Sequence, residues 1–129
     1  MKRINNLFET IISVDNLHAA YLTARKRKVR SKGVLLFEQG DINQKLLDLH
    51  ARLKEGTFTT SKYHIFDIVT REGKQRQIYQ LPFYPDRIVH HAILNVLEPI
   101  WTKTMSSSSY CCVKNKGIHG IVKKMKKIL

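Results

Sequence analysis

The sequence predicts an α+β fold in which helices pack around a single β-hairpin. Apolar residues recur at helical spacing in several separate stretches, and two runs of β-branched and aromatic residues flank a short glycine-containing turn. The apolar share, 43% of 129 residues, is that of a folded chain. One domain accommodates this length, with a helical opening over residues 1–57 and the hairpin with its following helices over residues 58–129.

Along the chain, Leu17, Tyr21 and Leu22 predict a short amphipathic helix over Asn16–Lys28, with Asp15 as its cap. Its far end, Arg25 to Lys32, is crowded with Lys and Arg. Cations suit a helix C-terminus through the dipole, and they equally suit phosphate contact, so Arg25 and Arg27 are candidates for either use. Ser31-Lys32-Gly33 then breaks the helix toward the apolar segment Val34-Leu35-Leu36-Phe37.

Asp41-Ile42-Asn43-Gln44 has the form of a capped helix start, in which Asp41 accepts a backbone N–H and Gln44 reaches back. Ile42, Leu46, Leu49 and Leu53 share one face, and Gly56 stands where a C-terminal glycine belongs, which predicts a helix over Ile42–Lys54. Tyr63–Thr70 and Gln75–Leu81 predict the two strands, joined by Arg71-Glu72-Gly73-Lys74. Pro82 and Pro85 end the hairpin. From Asp86 the residues Ile88, Val89, Ala92, Ile93, Val96 and Leu97 cover one side of a helix that Pro99 is expected to stop near Glu98. A polar loop leads to a short extended piece at Tyr110–Val113. A last helix follows Gly117, with the apolar stripe Ile118, Ile121, Val122, Met125, Ile128 and Leu129.

The charge narrows the partner. With 23 Lys and Arg against 10 Asp and Glu, the formal charge of +13 favours a polyanion, and nucleic acid is the first candidate. No membrane partner is expected, because no apolar run approaches the roughly eighteen residues of a spanning helix. The N-terminus lacks the apolar core of a secretory signal, so a cytoplasmic protein is expected. Cys111 and Cys112 are neighbours, which disfavours a bond between them, and neither C-x-x-C nor H-x-x-x-H spacing offers zinc ligands. Both thiols are expected to be reduced and partly buried.

Catalytic signals are sparse. Two-metal phosphoryl transfer needs carboxylates that hold cations about 4 Å apart, and the sequence has no D-x-D, D-D or E-x-x-E. G-x-S-x-G, G-x-G-x-x-G and the phosphate-loop pattern are also absent. No metal site and no cofactor are expected in this chain. The turn stands apart, because Arg71, Lys74 and Arg76 bring cations to the tip and edge of two strands, an arrangement suited to a triphosphate or a nucleic-acid backbone.

The stretch from Arg71-Glu72-Gly73-Lys74-Gln75-Arg76 through Leu81-Pro82-Phe83-Tyr84-Pro85 to Asp86-Arg87-Ile88-Val89-His90-His91-Ala92 resembles the fingers region of bacterial reverse transcriptases. There a K/R-x-R strand runs through a proline into D-R-[IV]-[VI]-[HQ]. Leu97-Glu98-Pro99-Ile100-Trp101 is similar to their L-E-P-I-F segment, Ser109-Tyr110 to their S-Y, and Lys116-Gly117-Ile118-His119 to the entry of their next helix. The resemblance spans about Thr70 to Leu129 and extends more weakly over Asn5 to Lys28. Val89-His90-His91-Ala92 and the opening Lys2-Arg3-Ile4-Asn5-Asn6-Leu7-Phe8 look closest to the enzymes of diversity-generating retroelements, with group II intron and retron enzymes as further relatives. Val113 stands where the family usually has an arginine, and Asn115 where it commonly has a glycine.

The resemblance implies a fingers subdomain of a right-hand polymerase, cut before the palm strand that carries the first metal-binding aspartate. Arg71, Lys74 and Arg76 would hold nucleotide triphosphate, and Arg87, Lys114 and Lys116 would lie near an RNA template. Magnesium would belong to the complete enzyme. The stripe Ile118, Val122, Met125 would meet the missing palm or another partner, and the fragment alone would be inactive. A free-standing nucleic-acid-binding module or an accessory interaction protein is the alternative.

Several residues keep two readings. His90 and His91 point about 100° apart on a helix, so one is expected to be buried and hydrogen-bonded and the other to be available to a template. Asp86 and Arg87 suit a helix start with an ion pair as well as nucleic-acid contact. Trp101 and Tyr110 are expected as core anchors rather than base-stacking platforms.

Overall fold

A computed structural model of the chain describes residues 3–111, 113 and 116–128. The described residues form helices and a two-stranded antiparallel hairpin, an α+β arrangement. The chain divides into two compact units, Met1–Val96 and Leu97–Leu129. The helical opening and the hairpin therefore belong to one unit.

That first unit begins with α1 (Leu7–Ile12) and α2 (Val14–Arg25). The cap of α2 is Ser13, not Asp15: the Ser13 hydroxyl accepts the Asn16 N–H at 3.3 Å, and Asp15 falls inside the first turn. The helix ends at Arg25 rather than Lys28. Lys26 turns extended and Arg27 takes a left-handed φ of 62°, which relieves the repulsion of like charges stacked at helical spacing. Leu17, Ala20, Tyr21 and Ala24 face inward, while Leu22 is exposed.

Val34–Phe37 continues as a helix, α3 (Lys32–Glu38), because Val34 and Phe37 fall three residues apart on the face that meets the core. Gly33 is not a breaker. A Cβ on Gly33 would stand 3.0 Å from the Phe83 Cβ, so the missing side chain admits a close approach of α3 to the turn that follows the hairpin. Lys45 closes the far end of α3 by donating to the carbonyls of Phe37 (2.8 Å) and Gln39 (2.6 Å).

The next helix, α4 (Ile42–Lys54), has the expected bounds. Asp41 accepts the N–H groups of Asn43 and Gln44, whereas the Gln44 side chain bonds forward to Asp48 instead of reaching back. At the other end Gly56, at φ 71°, lets its own N–H reach Leu53 O and the Thr57 N–H reach Arg52 O, the paired closure of a Schellman motif.

The strands are β1 (His64–Val69) and β2 (Gln75–Gln80), paired from His64↔Gln80 to Val69↔Gln75. A wide turn at Phe83–Arg87, with Tyr84 extended, leads into α5 (Ile88–Thr104). Pro99 does not stop α5. A proline removes one hydrogen bond and leaves those on either side in place, and the helix runs on to Thr104.

One core of α2, α3, α4, Phe83 and the start of α5 holds this unit together. Its centre is aromatic: Phe37 packs against Tyr21, Phe83 and Tyr84 at ring-centroid separations of 5.3, 5.7 and 5.0 Å. Asn16 ties α2 to α5 by donating to Ala92 O at 3.0 Å and accepting from Asn95 at 3.1 Å. Helices do not pack around the hairpin, as the sequence suggested. Both strands are exposed along their length except for half-buried Ile78, because the four helices bury their apolar faces on one another and leave no surface to cover the ribbon.

The second unit contains the end of α5 and α6 (Ile118–Ile128). Two ammonium groups lie over the Tyr110 ring, Lys116 at 5.5 Å and Lys124 at 5.9 Å from its centre. A Cβ on Gly120 would come within 3.3 Å of that ring. Trp101, expected as a core anchor, is 46% exposed. Cys111 is exposed as well, against the expectation of a partly buried thiol, and Cys112 lies outside the described residues.

Candidate nucleic-acid interface

The hairpin tip is built by a type I turn with a left-handed glycine. Gly73 N–H bonds Thr70 O at 2.9 Å, Gly73 takes φ 77°, and Thr70 N–H returns to Lys74 O at 2.8 Å. The Thr70 hydroxyl also accepts the Lys74 N–H. Arg71 and Lys74 are thus fixed in the turn and Arg76 stands opposite Ile68, all of them exposed.

At the base of the hairpin an open cleft of about 670 Å³ lies between the strands and the start of α5. Tyr63, Phe66 and Tyr79 contribute rings, and Ile78 and Leu94 contribute aliphatic surface. From α5 and the turn before it come His90, His91 and Arg87. The pairing places Phe66 with Ile78 on one face and Tyr79 with Ile65 on the other, so the cleft wraps the base of the ribbon. Among the described residues, no Asp or Glu lines it.

The positive charge there extends to Lys28. Desolvation pulls the Lys28 pKa below its ordinary value, and the charge of Arg87 adds to the effect. Desolvation likewise lowers His91, followed by the charges of Arg87, His90 and Lys28. Among the described residues no carboxylate lines the cleft beside them, which is the electrostatic condition for receiving an anion.

The residues nominated from sequence divide accordingly. Arg71, Lys74 and Arg76 share the hairpin, and Arg87 lines the cleft at its base. Arg25 turns inward, where its guanidinium and the Tyr21 hydroxyl both bond the Glu38 carboxylate. Arg27 is exposed. Lys116 belongs to the second unit, donates to Ser107 O at 3.1 Å and covers Tyr110. Lys114 lies outside the described residues.

The readings left open at Asp86 and the histidines are corrected. Asp86 is 1% exposed and accepts the Ser61 N–H at 3.0 Å, while its other oxygen is buried without a partner. It fastens the chain entering β1, forms no ion pair with Arg87, and is closed to a nucleic acid. His90 is exposed and His91 half-buried, and both line the same cleft, which is broad enough to span the angle between them. Sequence reasoning passed over Lys28, Tyr63, Phe66 and Tyr79. Tyr63, Phe66 and Tyr79 lie on the strands that the sequence predicted, but nothing local in it shows that the strand bases and α5 line one cleft.

The Arg25–Glu38 pair predicts a pH response. Glu38 is held below its ordinary value of 4.5, first by the hydrogen bond from Arg25 and then by that from Tyr21. A depressed carboxylate stabilises the fold above its unfolded-state pKa and loses that contribution as pH falls through the folded value. The urea midpoint is therefore expected to drop as pH descends from about 4.5, and Glu38→Gln is expected to flatten that descent. Equal slopes for the two proteins would refute the link.

No protein-family model matches the chain, and no curated protein matches it either. Among the described residues no three His, Cys, Asp or Glu side chains are placed to share a metal ion. No described helix is long and apolar enough to cross a membrane.

Proposed function

We propose that this chain grips single-stranded nucleic acid as the fingers part of an RNA-directed DNA polymerase does, and that it carries no polymerase chemistry of its own. The observation that carries the reading is a basic hairpin standing clear of the core, within the ordered motif string from Arg71 to Ala92. A net charge of +13 supports it. The resemblance to reverse transcriptases rests on that string alone. In this reading Arg71, Lys74 and Arg76 meet phosphates at the hairpin, and the palm carboxylates with their magnesium come from elsewhere, in a continuation of the reading frame or in a separate chain.

A second reading is favoured by α6. Ile118, Val122 and Met125 on its apolar stripe are 72%, 46% and 55% exposed, so a protein surface that covers them is the natural partner of this helix. The palm is that surface if the first reading holds. An unrelated protein is that surface if the chain is a free-standing module.

Titration of labelled single-stranded RNA and DNA across a range of salt tests the proposal. The logarithm of the association constant is expected to fall linearly with the logarithm of salt concentration, by about 0.7 per phosphate contact, and to vary little with sequence. Primer extension with the chain alone, template, nucleotides and magnesium is expected to give no product. Salt-insensitive, sequence-specific duplex binding, or polymerisation by these 129 residues, would overturn the reading.

A further inference from the structure

The cleft at the hairpin base combines two kinds of surface: exposed aromatic rings, and the Arg87 guanidinium beside two imidazoles, with no Asp or Glu among its described lining residues. Tyr63 and Tyr79 are 53% and 58% exposed. They meet edge to face, with centroids 5.9 Å apart and planes at 81°, an arrangement that covers one face of one ring and leaves flat π surface open. The Tyr79 hydroxyl is held by Gln77 at 2.7 Å, which restrains the ring. Arg87, His90 and His91 line the same cleft.

We infer that this cleft holds one unstacked base of a single-stranded nucleic acid, the base against Tyr63 and Tyr79 and its flanking phosphate on Arg87 and the paired histidines. The inference deepens the proposed function and rests on it, naming a second contact distinct from the hairpin tip. Charge complementarity chooses the occupant: an apolar peptide would satisfy the rings and leave the Arg87 guanidinium without a counter-charge, whereas a nucleotide offers a base to the rings and a phosphate to Arg87 and the imidazole N–H groups. A single strand is required because duplex bases present only their edges. The opening of about 670 Å³ lies within the size of sites that enclose a small organic group, roughly 300–1,000 Å³. Every pyrimidine or purine has a π face, so the cleft would accept any base.

The test uses the full chain and a short RNA carrying 2-aminopurine at one position, with binding followed by anisotropy and stacking by fluorescence quenching. Native protein is expected to quench the probe. Tyr63→Leu and Tyr79→Leu, at positions too exposed to disturb the core, are expected to abolish quenching and to weaken binding roughly 5- to 150-fold with the salt slope unchanged. Arg87→Gln is expected to lower the slope by about 0.7. Absence of any RNA binding by the native chain would mean that the proposed function itself has failed. Salt-dependent RNA binding with no quenching and no effect of either Tyr→Leu change would overturn this inference and leave that function standing. Quenching by free 2-aminopurine ribonucleoside monophosphate at the same concentrations as the strand would overturn the assignment to a strand.

Discussion

Replacing Arg71, Lys74 and Arg76 together with Ala is expected to weaken binding to single-stranded RNA about 100-fold at roughly 0.1 M salt, with the loss shrinking toward zero as salt approaches about 1 M. Three phosphate contacts at about 0.7 each contribute a slope of about 2, and a tenfold reduction in salt below about 1 M multiplies their combined effect by about two decades. The loss should be the same for every sequence, because backbone contacts position a strand without reading it. Thermal stability is expected to stay put. The side chains are exposed, and the turn is held by Thr70 and Gly73, which the substitutions leave in place. A triple variant with native affinity and native salt slope would remove the hairpin from the interface, and one that unfolds would show that the turn depends on those side chains after all.

Leu49→Ala is expected to cost about 2–5 kcal/mol, a large part of the roughly 5–15 kcal/mol that a domain of this size commands. Leu49 is fully buried on α4 in the core cluster that also holds α2 and the aromatic rings, and truncation removes methyl groups from a packed site that relaxes only in part. Leu47→Ala is the comparison. Its side chain is 47% exposed on the same helix, so the same chemical change should cost less than about 0.5 kcal/mol. Urea titrations of the two variants beside the native chain should separate them clearly. Equal midpoints would mean that α4 presents a different face to the core.

The elements that were legible in the sequence are those whose signals are local. Asp41 caps α4, Gly56 closes it, and Leu46 and Leu49 lie on its inner face, so start, stop and orientation all sit within sixteen consecutive positions, 41–56. The hairpin was equally plain, because Arg71-Glu72-Gly73-Lys74 supplies a left-handed glycine at the place where its turn needs one. Where a signal competed with another, the local reading failed. Gly33 looked like a breaker and serves a close approach to Phe83, a residue fifty positions away. Pro99 looked like a stop and lies within α5.

The candidate site was half legible. Charge and spacing in the sequence determined that Arg71, Lys74 and Arg76 would ride on a hairpin and that the chain as a whole carries a charge of +13, since net charge and turn chemistry need no tertiary contact. Only the tertiary structure decided which cations of the basic run are available: Arg25 folds back onto Glu38, and Lys28 comes beside Arg87. It also decided that Asp86 is buried while His90 and His91 share a cleft with Tyr63 and Tyr79. Neighbours along the chain fix turns, caps and helical faces, because those depend on dihedrals and hydrogen bonds a few residues long. Which charged side chain is paired and which faces solvent depends on residues brought together across the fold, and that pairing is set by packing.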